Sequence, residues 1–162
     1  MCIDNGPSSD LEASDLGEME RDWLHLLRLI CASYEHNRAD GWDRAISHAE
    51  MRYGADNGPA IAAHVTGIIR AMRAERFGGF SYLSPYCPSC RQRVTEDEWH
   101  LIALFQAGYR GRRAEIAEMA AAFAHRSEEA PALAAAAARF GSALAAAVGF
   151  LRPQSAQNLM LH

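Results

Sequence analysis

Cys87 and Cys90 are the residues of this 162-residue chain whose types and spacing can do chemistry. Two thiols in Tyr86-Cys87-Pro88-Ser89-Cys90 can grip one metal ion or close one disulfide. No apolar run backs the polar, acidic start of the chain, so no signal peptide is expected and the expected location is the cytoplasm. In a reducing compartment a CxxC pair means metal or redox chemistry more often than a structural disulfide.

Zinc is the cofactor this motif predicts. It is held by four ligands, usually Cys thiolate or His nitrogen. Cys87 and Cys90 supply two, and His100 and His48 are the first candidates for the others. Cys31, His64 and His125 are the alternatives. There is no second CxxC and no HxxxH, so spacing fixes only half of the ligand set.

The stretch Ser84-Pro85-Tyr86-Cys87-Pro88-Ser89-Cys90 also resembles the active-site turn of glutaredoxins, which sets Cys-Pro-x-Cys after a strand and at a helix mouth. The resemblance covers about seven residues and implies thiol–disulfide exchange at Cys87, since a helix start lowers a thiol's pKa. The setting departs from that family. Three helical segments precede the motif, and the next helix start lies at Thr95. Thiol–disulfide oxidoreductase is the alternative function.

Arginines surround the cysteine turn. Arg70, Arg73 and Arg76 advance along one helical segment, and Arg91 and Arg93 follow the turn. With Glu75 as the only acid, residues 70–93 sum to +4. Such a cluster suits phosphate or an acidic protein segment. All 16 basic residues are arginine, which favours bidentate contacts to either. The net charge is −4, and residues 1–22 hold seven acids against Arg21. That acidic stretch is expected to mask the arginines in the free protein.

The elements that position these residues follow from periodicity. The sequence predicts an all-α fold of about six helices, in two three-helix halves joined by the CxxC turn. Residues 1–13 are expected to be a disordered acidic tail and 14–151 a single helical domain, divided into 14–79, the 80–94 connection and 95–151. Residues 152–162 are expected to fray, Pro153 having stopped the sixth helix.

The inward stripes are legible at helical spacing. Helix one offers Met19, Trp23, Leu26, Leu27, Ile30 and Tyr34, and helix two Ala45, Ile46, Ala49 and Tyr53. Helix three offers Ile61, Val65, Ile68, Ile69 and Met72. Helix four follows with Leu101, Ile102, Leu104 and Phe105, helix five with Ile116, Met119, Ala120 and Phe123. Helix six carries Leu133, Ala137, Phe140, Leu144, Val148 and Leu151. Asp40-Gly41 is read as a break and Gly108 with Gly111 as a hinge. Thr95 with Glu98 three positions on is a capping box. The alanine-rich stretch 130–151 is long enough for a membrane span, but Arg139 at its centre argues against insertion.

No hydrolase, kinase or nucleotide-binding motif is present: GxSxG, HExxH, GxxxxGK and GxGxxG are all missing. The sequence therefore predicts a small zinc-stabilised regulatory or adaptor protein rather than an enzyme. Its expected partner is a protein, with nucleic acid as a further candidate, and the alanine-rich helix is the expected route to any homo-oligomer.

Overall fold

The computed structural model describes residues 12–37, 39–125 and 129–158, with side chains as far as Gly149. The fold is all-α. The helices are α1 (Glu18–His36), α2 (Asp40–Tyr53), α3 (Gly58–Glu75), α4 (Glu96–Arg110), α5 (Arg113–Phe123) and α6 (Pro131–Asn158). Short 3-10 turns lie at Ala13–Asp15 and Cys90–Gln92, and Glu12 and Arg93 form an antiparallel bridge.

Local chemistry explains most helix ends. Asn37 takes the left-handed conformation at φ 49° and closes α1, a role open to Asn because its side chain tolerates that region. The expected break at Asp40-Gly41 is not one. α2 starts at Asp40, and buried Gly41 sits in its first turn. A Cβ on Gly41 would run into Ser33 Oγ and stand 2.9 Å from the Leu29 carbonyl. The glycine marks a close approach of α1 and α2.

The same holds for Gly108, which is no hinge but a buried residue within α4. A Cβ there would strike the Ala137 carbonyl, and one on Gly141 would strike the Gly108 backbone. α4 and α6 touch backbone to backbone. Gly111, at φ 69°, does cap α4. At the start of α6, the backbone N–H groups of Ala132 and Leu133 donate to Glu75 at 3.0 and 2.8 Å. The last residue of α3 thus fills the orphan donors of α6 with a carboxylate, which the helix dipole also favours. α6 does not stop at Pro153. Its backbone stays helical to Asn158. Residues 159–162 of the expected frayed end lie outside the described residues.

One hydrophobic core runs through all six helices. Trp23 of α1, Phe105 of α4 and Phe140 of α6 meet at its centre. Their ring centroids are 6.3 Å apart for Trp23–Phe105, 5.6 Å for Trp23–Phe140 and 4.8 Å for Phe105–Phe140. All three side chains are fully buried. α6 lies against both α3 and α4, and α1 joins them at the aromatic centre, so the first three and last three helices share one core. Apart from Leu151, whose side chain lies outside the described residues, the expected stripes are buried or half-buried with one exception. Ile46 is 36% exposed, because α2 meets its neighbours through the smaller Gly41, Ala45 and Ala49. Ala13, inside the expected 1–13 tail, is part of the core together with Leu16, and residues 1–11 of that stretch lie outside the described residues. By length and composition Pro131–Gly149 would suffice to cross a membrane. Its large side chains Leu133, Phe140 and Leu144 are spent on the core.

A pair of glycine substitutions tests this packing. Gly141→Ala must push apart two backbones and should destabilise by about 1–3 kcal/mol. Gly67→Ala, in α3 with open space at its Cβ, should gain about 0.5–1 kcal/mol from helix propensity. Thermal melts of the two variants should move in opposite directions.

Candidate functional site

The N-terminal box of α4 sits inside the protein. Thr95 Oγ1 accepts from the Glu98 N–H at 3.1 Å, and Glu98 Oε2 accepts from the Thr95 N–H at 2.9 Å. Glu98 has no exposed surface, so its charge needs an internal partner. Arg28 of α1 supplies it as a fork: Nε reaches Oε1 at 2.6 Å and Nη2 reaches Oε2 at 2.8 Å. The Leu83 N–H adds a fourth donor at 3.0 Å. Arg28 is itself 3% exposed. Its remaining N–H groups donate to the carbonyls of Cys90, at 3.3 Å, and Arg93, at 2.7 Å. One guanidinium thus binds α1, α4 and the cysteine turn together.

A second arginine fixes the other end of the connection. Arg76 Nη2 pairs with Asp97 at 2.6 Å, Nη1 donates to the Phe123 carbonyl at 2.6 Å and Nε to the Gly79 carbonyl at 3.0 Å. Its guanidinium lies over the Phe123 ring, 4.4 Å from the centroid. Asp97 also accepts from the Ser81 N–H at 2.7 Å. Arg76 is 6% exposed, so the structure takes it out of the expected partner-binding cluster. Its donors serve the fold.

The two cysteines differ in depth. Cys87 is half-buried and Cys90 is buried, 7% exposed. The Arg91 N–H donates to the Cys87 carbonyl at 3.3 Å, closing the turn between them. Among the described residues no group of three or more His, Cys, Asp and Glu side chains is placed to hold a metal. His100 is exposed on α4. His48 faces α1, its Nε2 3.4 Å from Asp22 Oδ1 and its ring 4.8 Å from that of His25. The described donors therefore do not assemble a zinc site.

The alternative ligands lie apart as well. His64 is half-buried on α3, its pKa lowered by burial and then by Arg139. His125 is exposed beyond α5. Burial pushes the Cys31 thiol up to about 12, with Glu98 and Glu35 adding to the effect. The glutaredoxin-like setting is not reproduced either. Irregular chain leads into Cys87, and the following helix starts at Glu96.

A histidine seam lies between α1 and α2. His25 is half-buried and edge-on to His48. Burial lowers its pKa to about 4, with His48, Arg91 and Arg28 adding repulsion. Burial also lowers His48, while Asp22 opposes the shift. Asp22 and Glu18 are in turn held by Arg52 at 2.6 and 2.7 Å. Asp22 and Glu18 are thus engaged on the α1–α2 face, while residues 1–11 of the expected mask lie outside the described residues.

The cysteine turn folds onto the end of the bundle where α1 finishes, α2 begins and α3 finishes. Arg73 lies over the Tyr34 ring, 4.7 Å from its centroid, and Tyr34 packs edge-on against Trp42 at 5.2 Å. Arg44 lies over the Tyr86 ring at 5.6 Å. The Tyr82 hydroxyl donates to Glu35, linking the turn to the end of α1. Burial first, and then that bond, raises the Tyr82 pKa. Arg91 is exposed with Nε on the Pro85 carbonyl at 3.1 Å. Arg70 is exposed on α3, and Arg93 is half-buried with its carbonyl on Arg28. Of the five arginines expected here, Arg73 and Arg91 belong to this end, and Arg44 joins them. Sequence spacing had no signal for Arg44, which meets Tyr86 only through the fold.

Two measurements check this geometry. Glu98→Gln leaves the buried Arg28 without a counter-charge and should cost about 3–5 kcal/mol. The same variant should make the Cys90 thiol react faster with an aromatic disulfide reagent, since the turn loses its anchor. The second measurement concerns His25. An unfolded imidazole titrates near its ordinary 6.5, whereas the folded one stays neutral down to about 4. The unfolded chain therefore takes up the proton first, and stability falls as pH drops through that window. Discounted for partial exposure, the effect is about 1–2 kcal/mol. His25→Gln should flatten the melting temperature between pH 7 and 4. Comparison of the chain with protein-family models, with curated proteins and with solved structures finds no match.

Proposed function

We propose that this chain is a non-enzymatic regulatory or adaptor module, whose arginine–aromatic end docks a carboxylate-bearing segment of a protein partner. One observation carries the reading: two exposed guanidiniums, Arg73 and Arg44, lie over tyrosine rings at the same end of the bundle, 4.7 and 5.6 Å from the ring centroids. A guanidinium resting over a ring still has N–H donors for a carboxylate, and part of its rotamer entropy is already spent. Tyr86 is 44% exposed, and Tyr, Trp and Arg are the residue types that dominate protein interfaces.

Two features favour a protein over a nucleic acid. Glu35 and Asp43 are exposed at the same end, and their charge repels a phosphate backbone while leaving room for a mixed protein surface. The arginines are also dispersed over α2, α3 and the turn, not ranged along one groove. Zinc has no part in this reading, because the described donors do not gather around Cys87 and Cys90. The oxidoreductase alternative draws no support from the turn's setting, where irregular chain leads into Cys87 and the next α-helix starts at Glu96.

The test is a titration of a fluorescent acidic peptide into the full chain, with a single-stranded oligonucleotide in parallel. The peptide should bind, weaken as salt rises, and lose about tenfold in affinity with Arg44→Glu and Arg73→Glu combined, the worth of about 1.4 kcal/mol. Equal or tighter binding of the oligonucleotide would replace the protein partner with a nucleic acid. Peptide binding that ignores both substitutions would remove this face from consideration.

A further inference from the structure

We propose that Cys87 and Cys90 are a peroxide-sensitive dithiol that regulates the docking face, an inference that rests on the function proposed above. The pair is graded in depth: Cys87 is half-buried at the surface of the turn, and Cys90 is buried behind it. Both are thiols in the structure, on one turn closed by the Arg91 N–H to Cys87 carbonyl bond. The more accessible thiol, Cys87, meets an oxidant first, and Cys90 stands three residues on in the same turn. The third described cysteine cannot take this role. Cys31 is buried on α1 and its thiol titrates at about 12, so almost none is thiolate at neutral pH.

The chemistry balances with a hydroperoxide as the oxidant. The Cys87 thiolate attacks the terminal peroxide oxygen, and the O–O bond breaks. Cys87 becomes a sulfenic acid, and the alkoxide or hydroxide leaves as alcohol or water after protonation. The Cys90 thiol then attacks the Cys87 sulfur, the S–O bond breaks, and the sulfenic hydroxyl leaves with the Cys90 proton as water. Two thiols and one hydroperoxide give one disulfide, one alcohol (or water) and one water. A cellular dithiol reverses the step by exchange.

The neighbours give this step a consequence. Tyr86, next to Cys87, carries the Arg44 guanidinium, and Arg91, next to Cys90, holds the Pro85 carbonyl. The Cys90 carbonyl is itself fastened by Arg28. Cys90 is thus the fixed end, and a bond between the sulfurs draws Cys87 inward. Tyr86 moves with it and leaves Arg44 without its ring. The docking face loses one of its two mounted guanidiniums when the pair is oxidised.

The experiment treats the full chain with hydrogen peroxide, then measures intact mass, free-thiol count and affinity for the same acidic peptide. The expected result is a loss of two hydrogens and of two thiols, with peptide affinity falling about fivefold, the scale of one cation–π contact. Dithiothreitol should restore both, and Cys87→Ser should abolish the disulfide and the affinity change together. Stepwise oxygen addition without a disulfide overturns the proposal. So does a disulfide that leaves peptide affinity unchanged, and in that case the docking reading survives. If the reduced chain does not bind the peptide at all, the docking reading fails and the regulatory role fails with it. The mass and thiol counts still report separately whether the dithiol forms.

Discussion

The buried pair of Arg28 and Glu98 is the constraint on which the rest depends. Residues 76–95 form a long connection with little regular structure, and such a segment is costly to order. Its backbone carries donors and acceptors that need partners once they approach the core. Arg28 and Glu98 meet that need from both sides. The carboxylate takes the N–H groups of Leu83 and Thr95, and the guanidinium takes the carbonyls of Cys90 and Arg93. The connection is therefore fixed at four backbone points by two side chains that also fix each other. Arg76 and Asp97 repeat the device at its start, on Gly79 and Ser81.

This anchoring decides what the surface of the turn can do. With the Cys90 and Arg93 carbonyls tied down, the segment before them lies over the end of α1 and the start of α2. That is why Tyr82 reaches Glu35 and Tyr86 reaches Arg44. Residues far apart in the chain become one face because a buried ion pair determines where the turn lies. The arrangement also separates the roles of the arginines. Arg28 and Arg76 are spent inside, while Arg44, Arg73 and Arg91 remain at the surface.

The local parts of this design were legible in the sequence. Thr95 and Glu98 form their capping box as the spacing predicted, and the apolar stripes of α3 and α4 are buried as read. What escaped was any role set by distant residues. Glu98 reads as a cap and nothing more, because its partner is 70 positions away and charge complementarity over that range has no period. Arg76 reads as a surface cation for the same reason. Gly41 and Gly108 read as breaks because glycine punctuates chains locally, whereas here each marks a place where two helices touch. The CxxC spacing reads as half of a metal site, and nothing in that spacing signals that a guanidinium from α1 fastens the same turn.

An ion pair at this place also answers why a charge is kept in the interior at all. Buried pairs are often replaceable by apolar residues of similar volume at little cost, since the desolvation of two charges offsets their attraction. That exchange presumes that the pair serves only itself. Here it does not. Arg28 has five N–H donors in a rigid fork, and the structure uses them on Glu98 and on two backbone carbonyls. An apolar residue in its place leaves the Cys90 and Arg93 carbonyls without the donors they now have, each a loss of about 1–3 kcal/mol where water cannot reach. An apolar residue at position 98 orphans the Leu83 and Thr95 N–H groups in the same way. A lysine at position 28 keeps the charge but lacks the planar fork that spans a carboxylate and two carbonyls at once. The pair is thus better understood as a hydrogen-bonding hub that happens to be charged. Its neutrality as a pair allows it to be buried, and its geometry determines where the cysteine turn lies.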